Sequence, residues 1–164
     1  MFIIEGPDAT GKTTLAHKLG GQYFHCSYDP SWNIEAYHRL IAHTAGKLEQ
    51  TANVPVVIDR LCLSEAVYGE RFRDGPSYDT AALMQEIIAA YKPTLILCTA
   101  DPNERYNAIK RAEMFDTVEG LADLYAKHVG TGNYGKWWTY DYCKQSADEF
   151  IKTINGDNNE HNRS

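Results

Sequence analysis

The sequence predicts an α/β fold: a three-layer sandwich in which helices cover both faces of a parallel sheet of about five strands. Three observations carry that expectation. Short apolar runs alternate with helical patterns along the chain. Those runs are continuously apolar rather than alternating, as strands buried on both faces must be. A glycine-bounded turn follows the first run and opens directly into a helical pattern.

Taken in order, Phe2-Ile3-Ile4 is the first buried strand. The helix after the glycine-bounded turn begins near Lys12 and ends at Gly20-Gly21, residues suited to a helix C-terminus. Tyr23 to Cys26 reads as a second strand, and Asp29-Pro30-Ser31 as a turn. From Asn33 to Gln50, Ile34, Tyr37, Ile41, Ala45 and Leu48 recur at three- and four-residue spacing, one face of an amphipathic helix. The β-branched run Val54 to Ile58 predicts a central strand ending at Asp59. A helix over Leu61 to Phe72 is broken by Asp74-Gly75-Pro76, and Asp79 caps another running to about Tyr91. Thr94 to Thr99 is a buried strand, and Asp101-Pro102 opens a helix with proline in its first turn. Val118 to Val129 reads as helix, Gly130 to Lys136 as a loop, Trp137 to Cys143 as the last strand and Ser146 to Ile154 as the closing helix. The expected organisation is one domain over residues 1–154 with a short lid near 102–116, and a polar, disordered tail over 155–164.

With 164 residues, of which 43% are hydrophobic and 23% charged, the chain can bury a core without disulfides or metal. Cys26, Cys62, Cys98 and Cys143 are far apart, and three of them sit in apolar stretches, so buried free thiols are expected. No apolar run is long enough to span a bilayer, and Met1 leads directly into a strand, so a cytoplasmic protein without membrane association is expected. The formal net charge of −6 weighs against a long nucleic-acid substrate. The six histidines show no metal-ligand spacing and are expected to be structural or surface residues.

Gly6-Pro7-Asp8-Ala9-Thr10-Gly11-Lys12-Thr13 fits the GxxxxGK[ST] pattern without mismatch, between a strand and a helix. Backbone amides must point inward at phosphate oxygens, and glycine permits the torsions this requires. The helix then offers free amides and the positive end of its dipole. The cradle is expected from Gly6, Asp8, Ala9, Thr10, Gly11, Lys12, Thr13 and Thr14 around ATP, with Lys12 on the β- and γ-phosphates and the Thr13 hydroxyl on Mg²⁺. A carboxylate inside an anion-binding loop, Asp8, needs a compensating partner: either water around the cation or a hydroxyl of a second substrate.

On these residues the chain resembles the thymidylate kinase branch of the nucleoside monophosphate kinases. Ile4 to Thr14 is similar to that family's EGxDGxGKxT loop, and Asp59-Arg60-Leu61-Cys62-Leu63-Ser64 to its DRYxxS segment, followed by a small residue, Ala66, and an aromatic, Tyr68. The compact size resembles phage-encoded deoxynucleotide kinases, for which the compartment is the host cytoplasm. The resemblance implies that Asp59 positions Mg²⁺ waters or the acceptor, that Arg60 holds the acceptor's α-phosphate and that Asp8 approaches its sugar. Arg60 also has the planar fork such a phosphate needs. The chain departs from the family at Ala9, where glycine is usual, at Leu61 in place of tyrosine, and at Cys26 to Pro30, where an arginine-proline-glycine segment is absent. Thymine specificity is therefore not implied.

Arg105, Lys110 and Arg111 follow the Thr94 to Thr99 strand, where kinases of this shape carry a basic lid over the transferring phosphoryl group. Arg105 and Arg111 are the candidate catalytic cations there, beside Lys12, Asp59 and Arg60. Arg73 is a candidate for the acceptor phosphate, and Tyr37 and Tyr68, with Phe72 and Trp32, for stacking on its base.

These readings converge on transfer of the γ-phosphoryl of Mg·ATP to a free nucleoside monophosphate, expected to be a deoxynucleotide. Two alternatives stay open: a kinase of a nucleic-acid 5′ end or of a modified base in DNA, which the aromatic-rich C-terminal third permits, and a nucleotide-binding ATPase or switch module. The base, the sugar and the oligomeric state are left open, a homodimer included.

Overall fold

Residues 1–101, 103–105 and 120–161 are described by the structure, a computed structural model. Five parallel strands form one sheet: β1 (Phe2–Glu5), β2 (Gln22–His25), β3 (Val56–Asp59), β4 (Thr94–Thr99) and β5 (Trp137–Asp141), in the order β2-β3-β1-β4-β5. The described helices are α1 (Lys12–Leu19), α2 (Ile34–Ala52), α3 (Cys62–Phe72), α4 (Thr80–Tyr91), α5 (Leu121–Gly130) and α6 (Ala147–His161). The expected architecture is the observed one.

Alternate residues of each strand feed two separate cores, which is why the strands read as unbroken apolar runs. Ile3, Val56, Ile58, Leu95 and Leu97 pack on one face with Ala42, Ala45, Leu63, Val67, Leu83, Met84 and Tyr125 of α2 to α5. Ile4, Val57, Ile96, Cys98 and Tyr140 pack on the other with Leu15 and Ala16 of α1 and Phe150 and Ile154 of α6. Cys26, Cys62 and Cys98 are buried free thiols and Cys143 is exposed.

Local chemistry sets the helix starts. Asn33 and Asp79 accept hydrogen bonds from Ala36 and Ala82 backbone N–H groups (2.9 and 3.0 Å), so both cap the helices they precede. Ser146 and Glu149 bond reciprocally in a capping box before α6. That helix runs on to His161, so residues 155–161, expected to be a disordered tail, continue it. Each added residue gains a backbone hydrogen bond once the packed turns at Phe150 and Ile154 have nucleated the helix. The helix expected from Asp101-Pro102, the lid near 102–116 and the start at Val118 lie outside the described residues, save 103–105.

The start of α3 is capped from a distance. Leu61 offers no side-chain cap. Instead Glu5, at the end of β1 and fully buried, accepts hydrogen bonds from the backbone N–H of Leu61 (2.8 Å), Leu63 (3.1 Å) and Ser64 (3.1 Å), and from the Ser64 hydroxyl. The Ser64 hydroxyl also meets the Tyr125 hydroxyl at 2.7 Å. Burial raises the Glu5 carboxyl from 4.5 to about 7, while its hydrogen bonds pull it down.

Replacing Glu5 by Gln turns an amide N–H₂ toward donors that need an acceptor, and should cost about 1–3 kcal/mol by chemical denaturation. Because the folded-state value lies above the unfolded one, folding takes up a proton between these values. Stability from this group is therefore complete below pH 4.5 and lost as pH rises through about 7. The wild-type advantage over Glu5→Gln should shrink across that window; an advantage that grows with pH would contradict the assignment.

Candidate functional site

The sheet order places β1 between β3 and β4, so the segments following all three strands meet at one edge. The loop from Gly6 to Gly11 leaves β1 there. Gly6 has φ 139° and passes so close to β4 that a Cβ would lie 2.3 Å from the Cys98 carbonyl oxygen, so no other residue fits. Gly11 (φ 78°) turns the chain into α1. Ala9, which stands where the resembled family has glycine, is also left-handed (φ 59°).

The loop's groups are held by one another. The Thr10 hydroxyl donates to the Pro7 carbonyl at 2.8 Å, and Lys12 Nζ donates to the same oxygen at 2.6 Å. Lys12 is buried, and burial, then the nearby Arg60, push its pKa down. An anion entering the loop would relieve that penalty. Thr13 and Thr14 are exposed on the first turn of α1.

Asp59 and Arg60 arrive from the end of β3. Arg60 adopts a left-handed backbone (φ 69°), costing about 1–2 kcal/mol for a residue with a Cβ. Its N–H donates to the Ile4 carbonyl (2.9 Å), which holds the turn against β1. The Arg60 guanidinium forms an ion pair with Asp8 and lies over the Tyr68 ring, 5.1 Å from its centroid. Arg105 Nε donates to the Asp8 backbone carbonyl at 2.9 Å, so it too rests on the phosphate loop. Arg111 lies outside the described residues.

Asp59 is 2% exposed. Its Oδ2 accepts from the Tyr23 hydroxyl at 2.7 Å and lies 3.4 Å from His25 Nδ1. Its Oδ1 is buried and, among the described residues, has no hydrogen-bond partner. A buried carboxylate oxygen left unpaired is costly unless something outside the chain fills it. The Asp59 carboxylate and the Thr13 hydroxyl are oxygen donors of the type Mg²⁺ takes, and would be the residues to hold it. Among the described residues no group of three His, Cys, Asp or Glu side chains could hold a metal unaided. Such an ion would share its shell with phosphate oxygens.

Beside the loop lies a cleft of about 540 Å³, within the usual range for small-molecule sites. Asp8 and Arg60 line its end at the phosphate loop, and Tyr68, Phe72 and Arg73 line it along α3. Tyr68 and Phe72 stack on each other at 5.7 Å. Arg73 pairs with the buried Glu65 (2.8 Å) and lies over the Tyr28 ring, 4.1 Å from its centroid. Tyr37 does not line this cleft: its ring packs on the core and against Trp32 at 5.1 Å.

Several lining groups were not expected, among them His25, Tyr28, His38 and Glu65. His38 meets the Tyr78 hydroxyl at 2.6 Å, and burial lowers its pKa to about 4, so it is neutral near pH 7. One signal was available for Glu5, the lone charge closing an apolar strand. The others depend on contacts between distant segments.

No protein-family model matches the chain, and no curated protein matches it in sequence. Solved structures do match. The YorR protein of Bacillus subtilis, solved in complex with phosphorylated GDP, is 23% identical, with 100% of this chain and 99% of that one covered, at a TM-score of 0.68. Deoxyadenosine kinase from M. mycoides, solved with bound dCTP, is 16% identical over 98% of this chain and 100% of that one, at 0.52. Thymidylate kinase from Candida albicans is 16% identical over 96% and 92%, at 0.51. Among the described residues no helix is long and apolar enough to cross a membrane. With its parallel sheet, glycine-bounded loop and these likenesses, the chain has the fold of thymidylate kinase-like P-loop nucleotide kinases.

Proposed function

We infer that this protein is an ATP-dependent kinase of nucleoside monophosphates, with a free deoxynucleotide as acceptor. The observation that carries this reading is the Asp8–Arg60 pair, which joins the phosphate loop to the cleft beside it. A phosphate loop alone suits any nucleotide-hydrolysing module. A half-buried arginine fork at the mouth of a second, aromatic-walled cleft adds a place for a second substrate bearing a phosphate. Two of the structures sharing the fold carry nucleotides, which agrees with this reading.

In the proposed reaction Arg60 binds the acceptor's phosphate and releases Asp8, whose carboxylate can then accept from a sugar hydroxyl. Tyr68 and Phe72 offer ring faces for the base. Lys12 turns from the Pro7 carbonyl to the donor's β- and γ-phosphates. An oxygen of the acceptor phosphate attacks the γ-phosphorus; the bond from that phosphorus to the bridging oxygen breaks, and ADP leaves. The attacking oxygen is already ionised at neutral pH, so no general base is required. Mg²⁺, when bound, draws charge from the phosphate oxygens; Thr13 and Asp59 would hold it. Arg105, already on the loop, and Arg111 of the expected lid would supply further positive charge as the phosphoryl group moves.

Lys12→Ala should fold normally by circular dichroism and lose about 10²–10³-fold in kcat, since charge stabilisation of the transition state is removed. Near-normal turnover in that variant would sink the donor-site assignment. Arg60→Lys retains charge but not the fork, so the KM for the acceptor should rise more than that for ATP; a rise confined to ATP would mean that the two sites are interchanged. The reading as a whole is tested by incubating a mononucleotide panel, and single- and double-stranded oligonucleotides, with Mg·ATP. Monophosphates should become diphosphates. Phosphorylation of oligonucleotides alone would replace the reading with a nucleic-acid kinase, and acceptor-independent hydrolysis with an ATPase.

A further inference from the structure

Tyr23 lies outside every motif and outside the lining of the cleft, yet its hydroxyl reaches a carboxylate expected beside the cation. It donates to Asp59 Oδ2 at 2.7 Å. A phenol hydroxyl has one proton to give. With that proton on Oδ2, the carboxylate keeps its other oxygen, the buried Oδ1, which has no hydrogen-bond partner among the described residues, for a cation.

The phenol is itself held in place. Its ring stacks between His17 of α1 (6.1 Å between centroids, 30° between planes) and His25 of β2 (6.5 Å, 24°). It packs against the core formed by α1, α6 and the sheet. Strand pairing sets Tyr23 beside Val57, two residues before Asp59 on the same face of the sheet.

The geometry points to Tyr23 as a positioning residue for the divalent cation: it holds one oxygen of the Asp59 carboxylate and so orients the other, Oδ1, for the ion. This rests on the phosphate loop being a Mg·ATP site. Tyr23 acts through Asp59.

Tyr23→Phe removes the hydroxyl and keeps the ring stack. In calorimetric titrations of the full chain, ATP with EDTA should bind this variant as it binds wild type. The Mg²⁺ concentration that gives half of the metal-dependent gain in ATP affinity should rise about tenfold or more, the usual effect of removing an outer partner of a metal ligand. Combined with Asp59→Asn, the variant should add nothing to Asp59→Asn alone. A purely structural tyrosine would lower the thermal midpoint of the free protein and weaken ATP binding equally with and without metal; that pattern, unchanged Mg²⁺ dependence, or additivity in the double variant would overturn the role of Tyr23. A wild type that binds ATP no better with Mg²⁺ than with EDTA would overturn the metal-site reading and this one with it.

Discussion

Glu5 closes β1 with a fully buried carboxyl, and it can be buried there because the N-terminus of α3 supplies three backbone N–H groups and a hydroxyl. This contact decides where α3 begins relative to the phosphate loop. The residue before Glu5 accepts from Arg60, and the residue after it is the first glycine of the loop. The glycine-bounded loop and the Asp59-Arg60 turn therefore share one anchor. Without it, Leu61 would leave the first turn of α3 uncapped inside the core, where an unpaired N–H is costly.

Around that anchor the site balances charge at short range. Two cations, Lys12 and Arg60, face a region that also holds Asp8 and Asp59. Lys12 donates to a loop carbonyl and Arg60 to the carboxylate inside the loop, so each is occupied by a group that a phosphate oxygen could replace. Such a site is organised before any anion enters: the cations need exchange only their partners. Asp8 is the clearest case. A carboxylate in an anion-binding loop repels its ligand unless a neighbouring cation offsets it, and Arg60 is that cation.

The cleft follows a different logic. Glu65 and Arg73 form an ion pair in its wall, and Tyr28 covers the guanidinium. His38 is kept neutral by burial and anchored by Tyr78. These groups present polar atoms beside the rings of Tyr68 and Phe72, the mixture by which a pocket fixes a heterocycle's orientation as well as its plane.

The sequence by itself determined the order of the strands and helices, the phosphate loop with Lys12 and Thr13, and the Asp59-Arg60 pair. All of these are local: they follow from glycine torsions, caps and hydrophobic periodicity within about a dozen residues. The tertiary structure decided what local rules do not reach. The sheet order brought the ends of β3 and β4 to either side of the loop. Strand pairing put Tyr23 beside Asp59 across 36 residues of chain. Tyr37 and Tyr68 are both half-buried and packed against the same core, yet of the two it is Tyr68 that also lines the cleft. Periodicity marks a residue as inward-facing, but which neighbour it meets depends on how the elements are stacked, and only the folded chain specifies that.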